Sequence, residues 1–187
     1  MLKSKIISYL IFMEGQGECE EKTLVITYET NFDNIIANFD DINGQYDVVK
    51  ISNMKIDDAL AEQLFHKSLN VDLIRLEIDG CTFSPRILKK ILDRSILDLV
   101  FTNCELHLQD ICDVMDAFNG SGNHNVDFSK SKIDWDENFN IFDKVSPPSM
   151  YEYYKTGSLC FDESALSNRG KKRLKNKCLG WDLRFIN

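Results

Sequence analysis

The chain has 187 residues, of which 43% are hydrophobic, and a formal net charge of −8, so it suits one domain with a real buried core. After Asn168, seven basic residues and one acidic residue give +6, which leaves −14 for residues 1–168. An acidic body disfavours contact with nucleic acids and membrane surfaces and suits a basic protein partner, whereas the basic end suits RNA or an acidic protein surface.

The first twenty residues are predicted to form an N-terminal cap. Their apolar stretch, residues 6–13, is too short to span a bilayer, and Glu14 follows it without a small-residue cleavage site. The six cysteines form no dense framework of the kind found in small secreted domains. We therefore expect free thiols in a reducing compartment, the cytoplasm or the nucleus, and no secretion.

One apolar pattern recurs along the chain. The segments "LIRLEIDGCTF" (73–83) and "ILDLVFTNCEL" (96–106) both follow the form apolar-x-x-apolar-x-apolar-x-x-Cys-x-apolar. Weaker copies lie upstream and downstream, and the second apolar position marks each copy: Leu24, Val49, Leu76, Leu99, Val126 and Leu159. The first four intervals, 25, 27, 23 and 27 residues, fall in the range of repeat proteins, and an insertion lengthens the fifth to 33.

Between the markers the apolar period changes from two residues to about 3.6, which predicts helices. Four stretches show it, 57–69, 84–92, 107–118 and 167–178. Ser84 is predicted to cap the second helix with Pro85 in its first turn, and Ser167 to cap the fourth, with Leu174 and Cys178 facing inward. The repeated unit is thus a strand, a turn and a helix.

This pattern resembles the leucine-rich-repeat family, in particular its ribonuclease-inhibitor-like, cysteine-containing class. The resemblance covers residues 21–179 and implies an α/β solenoid of about five or six irregular repeats. The family's parallel sheet lines the concave face and its helices line the convex face. One unit cannot bury its apolar side alone, so neighbours must stack. Residues 180–187, in which Trp181, Leu183 and Phe185 alternate, are predicted to be a capping strand or tail.

The strand positions between the buried residues face outward on the concave sheet of such a fold. They predict a mainly acidic partner surface formed by Lys50, Glu77, Asp79, Asp98, Thr102, Asp127 and Asp162. A basic protein segment would complement this surface, because opposite charge steers and selects partners. The same acidic residues are equally consistent with a role in solubility alone.

The insertion, residues 134–158, is rich in aromatic residues and contains two consecutive prolines. Trp135, Phe139 and Phe142 have helical spacing and are predicted to pack in the core. The segment after the prolines, 146–156, carries residue types that anchor interfaces: Met150, Tyr151, Tyr153 and Tyr154. Partner contact and local packing are both open for this segment.

The basic cluster near the end is a second candidate surface. Its members are Arg169, Lys171, Lys172, Arg173, Lys175 and Lys177. Such a cluster suits contact with RNA, a ribosome or an acidic partner, and it is also typical of a solvated helix face.

The sequence contains no motif that indicates catalysis. It has no phosphate-binding glycine motif and no recognisable nucleophile context, and the Cys104–His107 pair lacks a second tight pair for zinc. We therefore predict a non-enzymatic interaction module, an adaptor or fixed subunit of a larger complex, without metal, cofactor or small-molecule substrate. The alternative is a ribonucleoprotein- or ribosome-associated factor. A ubiquitin-ligase substrate receptor also resembles this repeat class, but residues 1–20 are too short for its F-box helices.

Overall fold

The computed structural model has a mixed α/β architecture built on one parallel sheet. It describes residues 22–29, 47–65, 75–92, 96–118, 124–135, 139–144 and 157–187. The strands are β1 Thr23–Thr27, β2 Val48–Ser52, β3 Lys55–Ile56, β4 Arg75–Asp79, β5 Thr82–Phe83, β6 Asp98–His107, β7 His124–Asp134, β8 Gly157–Asp162 and β9 Trp181–Ile186. The α-helices are α1 Asp58–Phe65, α2 Ile87–Ile91, α3 Leu108–Phe118 and α4 Asn168–Lys177. Two 3-10 helices span Asn140–Lys144 and Glu163–Ala165, and the predicted cap at 1–20 lies outside the described residues.

Seven strands form the main sheet in chain order, β1-β2-β4-β6-β7-β8-β9, and every neighbouring pair is parallel. The register aligns the marker residues found in the sequence, Leu24, Val49, Leu76, Leu99, Val126 and Leu159, in one row across the sheet. The row continues to Leu183, which faces Leu159 on β9. The segment 180–187, predicted as a capping strand or tail, therefore supplies a seventh strand with the same marker position as the other six. Its marker, Leu183, follows Leu159 by 24 residues.

The core lies on one face of this sheet. Next to the marker row runs a second buried row that begins with isoleucines and continues with aromatic rings. Phe128 is stacked between two of them, with centroids 5.1 Å from Phe101 and 5.4 Å from Phe161, and Phe185 follows at 6.0 Å from Phe161. Alternation with period two therefore places a continuous apolar layer on the core face.

The same backbone feature occurs at equivalent places along β2, β4 and β6. Asn53 follows β2, Gly80 follows β4 and Asn103 lies within β6, and they adopt positive φ values of 53°, 61° and 55°. Glycine and asparagine are the residues that adopt this left-handed conformation most readily. The chain thus turns at equivalent places in successive units, and the turn directs Cys81 and Cys104 inward.

The two cysteines of the repeated pattern are buried structural residues. The thiol of Cys81 donates to the carbonyl of Ile51 at 3.5 Å, and the thiol of Cys104 donates to that of Ile78 at 3.4 Å. Each therefore bonds the backbone of a neighbouring strand. Burial raises the pKa of Cys104 to about 11, so this thiol stays protonated and unreactive at neutral pH.

The predicted start of α2 was wrong. The helix begins at Ile87, and Arg86 occupies the cap position with a left-handed φ of 62°. The predicted cap, Ser84, instead donates its backbone N–H to Ile56, because this segment extends a second, two-stranded parallel sheet made of β3 and β5. By contrast, α4 begins as predicted, since Ser167 Oγ accepts the N–H of Gly170 at 3.1 Å.

The helical spacing of Trp135, Phe139 and Phe142 in the insertion also predicted the wrong backbone conformation. Phe139 has a φ of 52°, so a helix does not run through it, and the 3-10 helix Asn140–Lys144 follows. The predicted packing is confirmed, because Phe139 and Phe142 are buried and Trp135 lies edge-on to Phe161. Core membership here follows from the aromatic residue types, whereas the conformation follows from local turns.

Candidate interaction surface

The face of the main sheet opposite the core carries polar and charged side chains, and we call it the polar face. Three rows cross it. The first two are in register from β1 to β9, and the third is interrupted where the β6–β7 register shifts. The first row is Thr23, Val48, Arg75, Asp98, Asn125, Ser158 and Asp182, and the second is Val25, Lys50, Glu77, Val100, Asp127, Cys160 and Arg184. The third contains Thr27, Ser52, Asp79 and Thr102, with Asp162 and Ile186 at its far end. All seven residues predicted from strand alternation lie in these rows.

Two of the predicted acids are already paired with cations on the polar face. Lys50 Nζ lies 3.0 Å from Asp79 Oδ2, and Arg75 Nη2 lies 2.8 Å from Glu77 Oε1. Hydrogen bonds from Asn103 and then Lys50 hold the pKa of Asp79 below its usual range. The negative charge expected on β4 is therefore largely compensated within the protein.

The sequence reasoning missed Arg75 as part of this surface. It stands two positions before Glu77 on the same strand, so the alternation that identified Glu77 and Asp79 also applies to it. Arg184 on β9 was missed because its segment is predicted as a capping strand or tail and not as part of the partner surface. The polar face is thus more mixed in charge than the acidic stripe that was predicted.

The acids of β6 and β7 are held by neutral donors. Asn125 Nδ2 donates to Asp98 Oδ1 at 3.0 Å, and Ser158 Oγ donates to the side-chain Oδ1 of the same Asn125 at 2.8 Å. Asp127 Oδ1 accepts the backbone N–H of Ser129 at 2.8 Å. These bonds orient both carboxylates without adding positive charge, so β6 and β7 each present a fixed carboxylate on the polar face.

At the β8 end, Asp162 caps the short 3-10 helix by accepting the N–H and the hydroxyl of Ser164, and these bonds lower its pKa. Cys160 is half-buried on the same strand, and burial, aided by the charge of Asp127, raises the pKa of its thiol. A protonated thiol is a weak nucleophile, so this position suits contact better than covalent chemistry.

Helix α4 carries the six predicted basic residues, and several of them contact the protein itself. Lys171 lies 3.6 Å from Glu163 and Lys177 forms an ion pair with Asp143. The ammonium groups of Lys171 and Lys175 lie 5.2 and 5.9 Å from the ring centre of Phe185.

Arg173 lies 5.9 Å from the ring centre of Phe139. Arg169 and Lys172 are exposed, on the side of α4 away from the buried Gly170 and Leu174. The outward basic surface is therefore narrower than the sequence cluster suggests.

The histidine and cysteine side chains considered for zinc do not converge. Cys104 is buried against strand carbonyls, whereas His107 is exposed. His124 is buried, stacked on Phe118 at 4.3 Å, with Nδ1 2.7 Å from the carbonyl oxygen of Ile96. In the described part of the chain no three histidine, cysteine, aspartate or glutamate side chains are grouped to hold a metal ion.

The predicted loop contacts, Met150, Tyr151, Tyr153 and Tyr154, lie outside the described residues. Among the residues that the structure describes, no helix combines the length and apolar character needed to cross a membrane. No family model, no curated protein and no solved structure matches this chain.

Proposed function

We propose that the chain is a small solenoid of the leucine-rich-repeat type that binds a protein partner on the polar face and catalyses no reaction. The in-order parallel strands, the aligned marker residues and the equivalent left-handed turns at Asn53, Gly80 and Asn103 support the repeat interpretation. In such a solenoid the polar face is the concave one. The partner would hold the chain as an adaptor or as a fixed subunit of a larger complex.

One observation carries the proposal: a seven-stranded parallel sheet has charged, partly exposed side chains on one face, from β2 to β9. Parallel sheets are ordinarily covered on both faces and built from continuous apolar strands. Here Lys50, Glu77 and Asp127 stand half-buried in the middle of their strands. Six intervals between strands make this surface about 29 Å wide, enough for about nine residues of an extended segment.

The charge distribution favours a basic segment as the partner. Because Lys50 and Arg75 already pair with the two acids of β4, a partner's lysine or arginine has most to gain opposite Asp98 and Asp127. Val100 faces Asp127 across the β6–β7 register and adds apolar area between the two carboxylates. Complementary charge of this kind raises the association rate and selects among partners.

Charge reversal tests this surface. Asp98→Lys combined with Asp127→Lys should abolish recovery of the partner, measured by crosslinking mass spectrometry on protein isolated from its native source. The matched control is Asp58→Lys combined with Glu62→Lys, two exposed positions of α1 remote from the polar face. Recovery of every partner by the polar-face variant would rule out this binding surface.

The loop at 146–156 belongs to the same proposal on the basis of its sequence alone. Tyr153→Ala combined with Tyr154→Ala should weaken recovery of the same partner without changing its identity. Unchanged recovery would remove the loop from the proposal and leave the polar face untouched.

A second candidate function, RNA or ribosome contact through α4, rests on the exposed guanidinium and ammonium groups of Arg169 and Lys172. Phosphate contacts weaken steeply with salt, so co-sedimentation with ribosomes should be lost at high ionic strength. Arg169→Gln combined with Lys172→Gln should reduce it at low salt. Neutralising Lys171 instead is a poor test, because that residue also contacts Glu163 and Phe185. Equal co-sedimentation of variant and wild type would exclude this function.

A further inference from the structure

The last strand of the sheet offers one side of its backbone to another strand. Within the described residues, β9 pairs with β8 and stands at the end of the strand order. An edge strand presents a row of backbone N–H and C=O groups that can pair with a further strand. The side chains of β9 decide which strand fits.

The sequence of β9 is complementary to itself when two copies run antiparallel. Its core reads Trp181, Asp182, Leu183, Arg184 and Phe185. If Leu183 lies on the two-fold axis, each Asp182 stands directly opposite Arg184 of the other copy. Each Trp181 then stands opposite Phe185 of the other copy. Residues directly opposite in an antiparallel pair are the ones whose side chains touch, and opposite charges and aromatic pairs stabilise such contacts.

On the core side, a second copy continues both buried rows with suitable residues. The marker row ends at Leu183, and the ring row ends at Phe185, whose centroid is 6.0 Å from Phe161. Antiparallel pairing adds a second Leu183 to the first row and a Trp181 ring beside Phe185 in the second. The ammonium groups of Lys171 and Lys175 already lie against Phe185, so the added indole enlarges an aromatic surface that binds cations.

On the polar side, the same pairing exchanges the one ion pair within each copy for two ion pairs between the copies. In a single copy Arg184 Nε lies 3.2 Å from Asp182 Oδ2 on the same strand. The two side chains are 57% and 44% exposed, so solvent screens this pair and its rearrangement costs little. The pairing therefore leaves both charges compensated and adds backbone hydrogen bonds along the edge.

From this complementarity we infer that the chain forms a two-fold symmetric dimer through antiparallel pairing of its β9 strands. The dimer joins two seven-stranded sheets into one and places two polar faces side by side. Six residues per strand make a small interface, which is characteristic of weak, transient association rather than a permanent complex. The inference does not depend on what the polar face binds.

Reciprocal charge variants test the pairing by analytical ultracentrifugation of the full chain over a wide concentration range. Asp182→Arg and Arg184→Asp each place two like-charged pairs in the symmetric interface. Each should weaken self-association by roughly tenfold or more. The double variant, Asp182→Arg with Arg184→Asp, should restore it, and an equimolar mixture of the two single variants should form heterodimers.

Wild-type protein that stays monomeric at every concentration overturns the inference and leaves the edge to a strand from a different protein. The inference is also overturned if the single variants self-associate as strongly as the wild type, or if the double variant does not restore self-association. Circular dichroism checks that the variants fold. Should they not fold, amide hydrogen exchange of the wild type decides: residues 181–186 must gain protection as concentration rises, and unchanged protection refutes the dimer.

Discussion

Phe128→Ala tests whether the units of the sheet share one continuous core. The Phe128 ring is fully buried and stacks on Phe101 at 5.1 Å and on Phe161 at 5.4 Å, so its removal deletes two ring contacts. Replacing a buried phenylalanine by alanine costs about 3–5 kcal/mol, and the two stacked contacts place this site at about 4–5 kcal/mol. With a urea dependence of about 2 kcal/mol per molar, the unfolding midpoint should fall by about 2 M.

The matched control is Phe185→Ala at the end of the same row. Its ring is half-buried and stands beside one phenylalanine of the row, Phe161, so its removal should cost about 1–2 kcal/mol. Urea titrations followed by circular dichroism compare the two variants directly. Equal costs, or a cost below about 2 kcal/mol for Phe128→Ala, would refute the idea that the stacked rings form one core.

Three further outcomes are expected. Gly157→Ala should lower the free energy of unfolding in urea by about 3 kcal/mol, because the added Cβ would stand 1.8 Å from the carbonyl oxygen of His124. The added Cβ of Gly170→Ala in α4 meets nothing closer than 3.4 Å, so this variant should be more stable by about 0.5–1 kcal/mol. Equal effects of the two substitutions would contradict this geometry. Burial raises the pKa of Asp113 above its unfolded value, so its charge destabilises the fold at neutral pH, and this penalty disappears as pH falls through the folded pKa. Asp113→Asn should therefore stabilise the protein at pH 7 and stabilise it less at pH 4 in urea titrations, and a gain that does not depend on pH would contradict the assignment. Cys160→Ser should remove one reagent-accessible thiol from a thiol titration of the native protein, because Cys160 is half-buried whereas Cys81, Cys104, Cys112 and Cys178 are buried; an unchanged number of reacting thiols would show Cys160 to be inaccessible.

The strands could be predicted from sequence because two alternating apolar positions repeat in every unit. The marker row from Leu24 to Leu159 matches the register of the sheet, and the inward direction of Cys81 and Cys104 follows from the same pattern. Helix starts were less certain, because a left-handed residue such as Arg86 can delay a helix that a preceding serine and proline favour.

The composition of the polar face could be predicted in part, since Arg75 and Arg184 were missed, but its ion pairing could not be predicted. Alternation identifies which residues face outward, and it found Glu77 and Asp79. Whether those acids form ion pairs depends on cations at other positions of the same strand and of the neighbouring strand. Lys50 lies opposite Glu77 in the sheet, yet it pairs diagonally with Asp79, and Glu77 is left to Arg75 on its own strand. Such choices depend on side-chain reach, which spacing alone does not contain.

This pairing changes where recognition is expected. A uniform acidic stripe would attract any basic segment with little preference for position. On a face whose β4 acids are paired with cations, Asp98 and Asp127 present carboxylates on two adjacent strands that neutral donors hold in place. Fixed carboxylates need no reordering when a cation binds, so the entropic cost of binding is lower there than at flexible surface acids. The middle of the sheet is therefore where a partner's basic residues should be held in register.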